Sequence, residues 1–144
     1  MLSPAWLVDD MRRIEDLLLD TAGGSTSAVV GEASTHLMRA GGKRVRPALV
    51  MATSRVGETG RRSTDLAAAA VELVHLATLY HDDVIDETET RRGVPTVHAR
   101  WGIDVAVLAG DYLFARGCTL GADAGGEVPG ILARAIAEAA GRES

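Results

Sequence analysis

A chain of 144 residues, 47% of them hydrophobic, is long enough for one domain with a real core and too apolar to be a disordered polypeptide. Aromatic residues make up only 3%, so that core must be built from Ala, Leu, Val and Ile. A net charge of −5 argues against a general nucleic-acid binder, and the single cysteine, Cys118, excludes an intramolecular disulfide and fits a reducing cytoplasm.

Taken in chain order, Ser3-Pro4 predicts an N-cap with proline at the first helical position. Trp6, Leu7, Met11, Ile14, Leu17 and Leu18 then recur at helical spacing until Gly23-Gly24 stops the pattern. A second helix is predicted over Ser27 to Arg39, ending at Gly41-Gly42, and a third from near Pro47 to about Val56. After the loop Gly57 to Arg62, Ser63 reads as the N-cap of a long helix, Thr64 to Glu87. Gly93-Val94-Pro95 breaks the chain, and Pro95 can open a short helix through Trp101. Ile103 to Cys118 forms the next helix, a Gly-rich link runs from Gly117 to Gly130, and a last helix spans Ile131 to Ala140. No stretch alternates like a strand with turn residues at hairpin spacing, and no repeat or domain boundary shows, so residues 1–144 read as a single all-α domain. Met1 to Asp10 lacks a basic-then-apolar signal, and the apolar stretch Leu66 to Tyr80 is interrupted by Glu72 and His75 and is too short to span a bilayer. The expectation is a soluble, cytoplasmic chain with no membrane span.

The chemistry concentrates between His75 and Arg92. Asp82 and Asp86 lie four residues apart inside an apolar helical pattern and project side by side, with His75 on the same stripe two turns earlier. Like charges at that spacing cost roughly a few tenths of a kcal/mol, and a divalent cation is the natural compensation. Hard carboxylate oxygens without nearby thiols favour Mg²⁺, which is usually held by one or two carboxylates together with substrate phosphates. Arg91 and Arg92 would supply the phosphate-binding half of such a site; the plainer alternative makes them countercharges for Asp86, Glu87 and Glu89. His81 points about 100° away from Asp82 and reads as packing or capping. His36 and His98 are isolated and read as structural, and Arg61-Arg62 as solvated.

Gly41-Gly42-Lys43-Arg44-Val45-Arg46-Pro47 is the second informative segment. Two glycines let the backbone turn and approach a ligand, and three cations in four positions precede a helix N-terminus that itself favours an anion. Guanidinium groups take phosphate oxygens in a bidentate fork, while lysine acts as a point charge. Without a ligand the same residues make a solvated basic turn. A P-loop is excluded, since neither its spacing nor a preceding strand is present.

Gly42-Lys43-Arg44-Val45-Arg46-Pro47, Glu72-Leu73-Val74-His75, Asp82-Asp83-x-x-Asp86 with Arg91-Arg92-Gly93, and Gly110-Asp111-Tyr112-Leu113 together strongly resemble the trans-polyprenyl diphosphate synthases. The resemblance implies an antiparallel helical bundle of the isoprenoid synthase type. It also implies Mg²⁺-dependent condensation of isopentenyl diphosphate with an allylic prenyl diphosphate. By that resemblance Asp82 and Asp86 hold Mg²⁺ against the allylic diphosphate, Arg91 grips the same group, and Lys43, Arg46, His75 and Arg92 bind isopentenyl diphosphate. Ala77 and Thr78, five and four residues before the aspartates, fall where the family sets product length; both are small, which implies a longer product, although small residues there also suit helix packing.

The second aspartate-rich motif of that family has no counterpart: after Glu89 the aspartates are Asp104, Asp111 and Asp123, each alone. The expectation is therefore the N-terminal half of a synthase, inactive by itself, with an apolar face of the Thr64–Glu87 helix left bare. A homodimer, or a partner supplying the C-terminal half, would complete it. The competing readings are a non-catalytic diphosphate-binding or partner subunit of a split synthase, a metal-dependent phosphohydrolase using His75 and His81, and a terpene cyclase. The last two leave the Lys43 to Arg46 cluster unexplained.

Overall fold

The computed structural model describes residues 4–54 and 61–142. Within them the chain forms α1 (Ala5–Gly23), α2 (Ala28–Arg39), α3 (Val45–Ser54), α4 (Arg61–Ile85), a hairpin of β1 (Thr90–Arg91) and β2 (Val94–Pro95), α5 (Val97–Trp101), α6 (Ile103–Ala124) and α7 (Val128–Arg142). The fold is an all-α bundle, as expected. Ser3 and Val56 lie outside the described residues.

α4 is the axis of the bundle. Leu66, Ala68, Ala69, Ala70, Leu73, Val74, Leu76, Ala77 and Tyr80 are all buried along it, so apolar side chains occupy most of its circumference. α6 runs antiparallel to it: Gly110 lies against His81 and Gly117 against Val74 and Ala70. α1 and α3 cover a further side, and α7 folds back over Gly121, where Leu132 packs so closely that a Cβ would not fit. The expected bare face on α4 is therefore absent; of its large hydrophobics only Ile85, at its last turn, is exposed. The other exposed large apolar side chains among the described residues sit elsewhere, at Val8 on α1, Val29 on α2, Val45 and Leu49 on α3, Ile103, Val107 and Leu108 on α6, and Ile131 on α7.

Several boundaries differ from the sequence expectation: Pro95 lies in β2 and Thr96 caps α5 in its place, α4 runs Arg61–Ile85 instead of Thr64 to Glu87, and three further differences follow from packing. α6 does not stop at Cys118 but continues through Gly117 and Gly121 to Ala124. Glycine in a helix costs roughly 1 kcal/mol relative to alanine, yet here the missing side chains admit Val74 and Leu132, and that close packing prevails. α7 accordingly starts at Val128, earlier than expected, with Pro129 in its first turn, where a backbone N–H is not needed. Ser63 is already inside α4, and its hydroxyl donates to Ala124 O (3.1 Å) instead of capping, which ties the start of α4 to the end of α6. Ser27 does cap α2, accepting from Val30 N. Among the described residues no helix is long and apolar enough to cross a membrane.

The hairpin was not anticipated as a strand pair. Arg92 and Gly93 occupy its two turn positions at φ 54° and 78°, the paired left-handed conformation that tight hairpins require. Its flanks are held by Thr96, whose hydroxyl donates to Thr88 O (2.8 Å), by His98 Nε2 to the same carbonyl (2.7 Å), and by His36 Nε2 to Pro95 O (2.7 Å). His36 also meets the Trp101 ring edge-on at 5.0 Å. Both histidines are structural, as read from the sequence.

Candidate active site

α4 delivers Glu72, His75, Thr78, Asp82 and Asp86 at intervals of three and four, so they follow one stripe toward its C-terminal end. Asp86 N–H still donates to Asp82 O (2.8 Å), so the helical turn carrying the two carboxylates is intact although α4 ends at Ile85. Asp82 is half-buried and Asp86 exposed, and neither carboxylate has a hydrogen bond or ion pair among the described residues. Asp83 differs: it is buried, and its two oxygens accept from Arg91 Nε (3.1 and 3.0 Å) and Nη2 (2.7 Å). Asp83 thereby raises the basicity of a guanidinium whose field also acts on Asp82 and Asp86. Arg91 is thus a countercharge, hydrogen-bonded to Asp83 and acting on Asp82 and Asp86 only through its field.

Two free hard carboxylates one turn apart fit Mg²⁺, which takes one or two protein carboxylates and keeps water or phosphate oxygens in its other positions. Among the described residues no group of three or more His, Cys, Asp and Glu converges to enclose an ion. The donor set therefore suits a cation shared with a phosphate ligand rather than a closed protein cage.

The basic loop is folded by its own arginines. Gly41 and Gly42 adopt φ 103° and 140°, and Arg44 φ 51°, which turns the chain sharply from α2 into α3. Arg44 is buried: its Nε donates to Glu15 (2.7 Å), its Nη2 to Met38 O (3.1 Å), and its Nη1 lies 3.7 Å from the buried Glu72. From the hairpin, Arg92 Nη1 donates to Gly41 O (2.6 Å) and Leu37 O (3.0 Å). Two guanidiniums thus clasp the C-terminal carbonyls of α2, the negative end of its dipole. Gly42 passes between them; a Cβ there would stand 2.5 Å from Arg44 Nη1 and 3.0 Å from Arg92 Cζ.

Of the cations singled out in this loop, Lys43 and Arg46 remain exposed, Lys43 without a hydrogen bond or ion pair among the described residues. Arg46 occupies the first turn of α3, where a cation opposes the helix dipole and an anion would relieve it. Its Nη1 is 3.3 Å from His75 Nε2. Burial, together with the charges of Arg46, Arg92, Arg91 and Arg44, pushes the His75 imidazole down to about 4, so it is neutral at pH 7. Burial pushes the Glu72 carboxyl up, against the opposing pull of Arg44, Arg92 and Arg46.

The two product-length positions part company. Thr78 lines an apolar cavity of about 340 Å³ with His81, Asp82, Ile85, Phe114 and Ile136, whereas Ala77 is fully buried in the bundle core and does not line it. The Gly110-Asp111-Tyr112-Leu113 segment has a clear task. A side chain at Gly110 would collide with the His81 imidazole, which lies over it with Nε2 3.2 Å from Val107 O and 3.4 Å from Asp111. Tyr112 donates to Thr21 O (3.3 Å) and Leu113 is fully buried. The sequence reading missed Tyr80, whose buried hydroxyl donates to Ala33 O (2.6 Å) and joins α4 to α2; burial pushes its acidity well down. An aromatic on an otherwise aliphatic stripe was the available signal.

A central helix that ends in two open carboxylates beside an apolar cavity, wrapped in an all-α bundle, has the isoprenoid synthase class of fold, as its superposition on solved synthases shows. The family model described as polyprenyl synthetase matches residues 27–141, and the chain belongs to that family. Component 2 of heptaprenyl diphosphate synthase from Geobacillus stearothermophilus is 42% identical over 135 residues, 93% of this chain and 42% of that protein. The crystal structure of a decaprenyl diphosphate synthase from Rhodobacter capsulatus superposes with TM-score 0.85 at 42% identity, over 91% of this chain and 41% of the other. A polyprenyl synthase from Caulobacter crescentus, solved with calcium and isoprenyl diphosphate, superposes with TM-score 0.83 at 40% identity, over 89% and 39%. The chain thus spans about two fifths of the length of these relatives.

Proposed function

We propose that this chain carries the substrate-binding side of a Mg²⁺-dependent prenyltransferase that condenses isopentenyl diphosphate with an allylic prenyl diphosphate. The observation that carries the proposal is the pairing of two open carboxylates, Asp82 and Asp86, with a basic loop that folds Arg44 inward and leaves Lys43 and Arg46 exposed. Asp82 and Asp86 would hold the metal ion, which when bound offsets the charge of the diphosphate leaving group. Arg91, fixed by Asp83, adds a preorganised cation at the same end of α4. Lys43, Arg46, His75 and Arg92 form the second diphosphate site. The cavity beside Thr78 takes the prenyl tail and keeps water from the allylic centre.

A second reading has its own support. One relative is named component 2 of a heptaprenyl diphosphate synthase, and among the described residues no further acidic or histidine group joins Asp82 and Asp86 to enclose an ion. In that reading the chain binds diphosphates as one subunit and a partner supplies the opposing carboxylates, in a homodimer or in a complex with a separate C-terminal half. Calorimetry with an allylic diphosphate, with and without Mg²⁺, tests the shared core of both. Metal-dependent binding is expected, and its survival in the Asp82→Ala, Asp86→Ala double variant would refute both. An assay with labelled isopentenyl diphosphate and an allylic primer, run on the purified chain with and without an added partner chain, separates them. The split reading expects almost no turnover until a separate chain carrying opposing carboxylates is added.

A further inference from the structure

Three glycines of α6 make room for side chains of other helices, and the side chains they admit differ in kind. Gly117 and Gly121 admit Val74 and Leu132, apolar residues that fill the core. Gly110 admits a polar ring: a Cβ there would overlap Nε2 and Cδ2 of His81. The Gly110 backbone is helical, without the positive φ that favours glycine, so alanine would suit the local conformation and strengthen the helix. What the glycine supplies is space for the His81 ring. One face of α6 holds that ring. Nε2–H donates to Val107 O (3.2 Å), since a carbonyl can only accept, and Nε2 lies 3.4 Å from Asp111. The ring tilts against Phe114 with centroids 5.3 Å apart. Residues 107, 110, 111 and 114 recur at helical spacing and form a cradle for it. Among the described residues every polar and aromatic contact of the His81 ring comes from this face of α6.

The same side chain lines the apolar cavity, beside Thr78, Asp82 and Ile85 of its own helix. It stands one residue before Asp82 on a helix that rises about 1.5 Å per residue. That is the level at which a tail attached to a diphosphate at Asp82 enters. Helix sterics leave a side chain two common χ1 wells, so a ring driven off α6 turns to the other, toward the cavity it already lines. We propose that Gly110 is a specificity-determining residue: it keeps the entrance of the cavity open from α6, without touching the ligand, by giving the His81 imidazole a place outside it. A long apolar tail can then enter, whereas a side chain at position 110 restricts the cavity to short ones. The inference rests on the reading of this cavity as the prenyl-tail site. It adds to that reading a control residue on a different helix from Ala77 and Thr78.

Calorimetry of the purified 144-residue chain with Mg²⁺ tests this, using inorganic pyrophosphate, dimethylallyl diphosphate and farnesyl diphosphate. The parent should bind farnesyl diphosphate more tightly than pyrophosphate. Gly110→Ala should weaken farnesyl diphosphate about tenfold, the equivalent of about two methylene groups kept out of an apolar site. Pyrophosphate and dimethylallyl diphosphate should stay within about twofold of the parent, since neither carries a tail past the entrance. His81→Ala in the Gly110→Ala background should restore farnesyl affinity to within about twofold, because the displaced ring is gone. A loss shared equally by pyrophosphate and farnesyl diphosphate, an unchanged farnesyl affinity in Gly110→Ala, or a failed rescue overturns the inference and leaves the carboxylate site standing. A parent that binds pyrophosphate but gains nothing from the farnesyl tail refutes the cavity reading and this inference together. Absence of Mg²⁺-dependent binding of all three ligands refutes the proposed function as well. Should Gly110→Ala fail to fold, His81→Ala alone decides: farnesyl affinity at or above that of the parent is expected, and a loss overturns the inference.

Discussion

At the N-terminal end of α4, Arg13 closes on Asp65 at 2.6 and 2.8 Å and on Asp10 at 3.1 Å. At the C-terminal end, Arg91 closes on Asp83 and leaves Asp82 and Asp86 without hydrogen bonds or ion pairs among the described residues. Both clusters draw on the same two residue types. The first is complete: one guanidinium serves two carboxylates from α1 and α4, straps the helices together and is held above its ordinary basicity. The second has one arginine for three aspartates, spends it on the buried carboxylate, and leaves two like charges a turn apart. Balanced charge holds structure together, whereas a local excess on one helix face waits for a ligand. The basic loop repeats the contrast in the other sign, with Arg44 enclosed by Glu15 and Glu72 while Lys43 and Arg46 remain exposed.

The sharpest break between the two clusters should come from removing the open carboxylates. The Asp82→Ala, Asp86→Ala double variant is expected to lose about 1000-fold in Mg²⁺-dependent affinity for an allylic diphosphate, roughly 4 kcal/mol, measured by calorimetry. Its metal-free thermal midpoint should stay level or rise, because the repulsion at i and i+4 is gone. Arg44→Ala is the converse: it leaves Glu72 buried without its nearest cation, and denaturant unfolding should show a loss of about 3 kcal/mol. Arg46→Ala should lower diphosphate affinity with a stability change within about 0.5 kcal/mol. Equal affinity losses at positions 44 and 46 would reduce the loop to a diffuse positive patch.

Arg13→Ala should cost about 2 kcal/mol of stability, since it opens a partly buried strap, and should leave pyrophosphate binding unchanged. The smallest expected effect is a pH dependence. His75 binds its proton near pH 4 in the folded chain and near 6.5 when unfolded, so between those values the unfolded state holds more protons. Its contribution to stability is therefore present above about pH 6.5 and is lost as the pH falls toward 4. Comparing unfolding of the parent and His75→Gln at about pH 7 and pH 4.5 should give a difference of about 1 kcal/mol after solvent screening. Glu72, raised by burial, works in the opposite direction, so the difference between variants is the informative quantity.

The amino-acid sequence alone determined where most helices run, because apolar periodicity and the Gly41-Gly42 stop are local properties. It also put Asp82 and Asp86 on one face, since helical spacing needs no other segment, and its motifs were enough to place the chain in its family. Tertiary structure decided the rest. Whether α6 could run through Gly117 and Gly121 depended on Val74 and Leu132, residues of other helices, and no local propensity contains that information. Which cations stay open was equally invisible: Arg44 finds Glu15 across 29 residues and Arg92 finds Gly41 across 51. Even the protonation of His75 is a tertiary property, set first by burial and then by the charges of four arginines from the basic loop, α3 and the hairpin. A charge in a sequence is a residue type, but whether it binds a ligand or a neighbour depends on what the fold brings within hydrogen-bond distance of it.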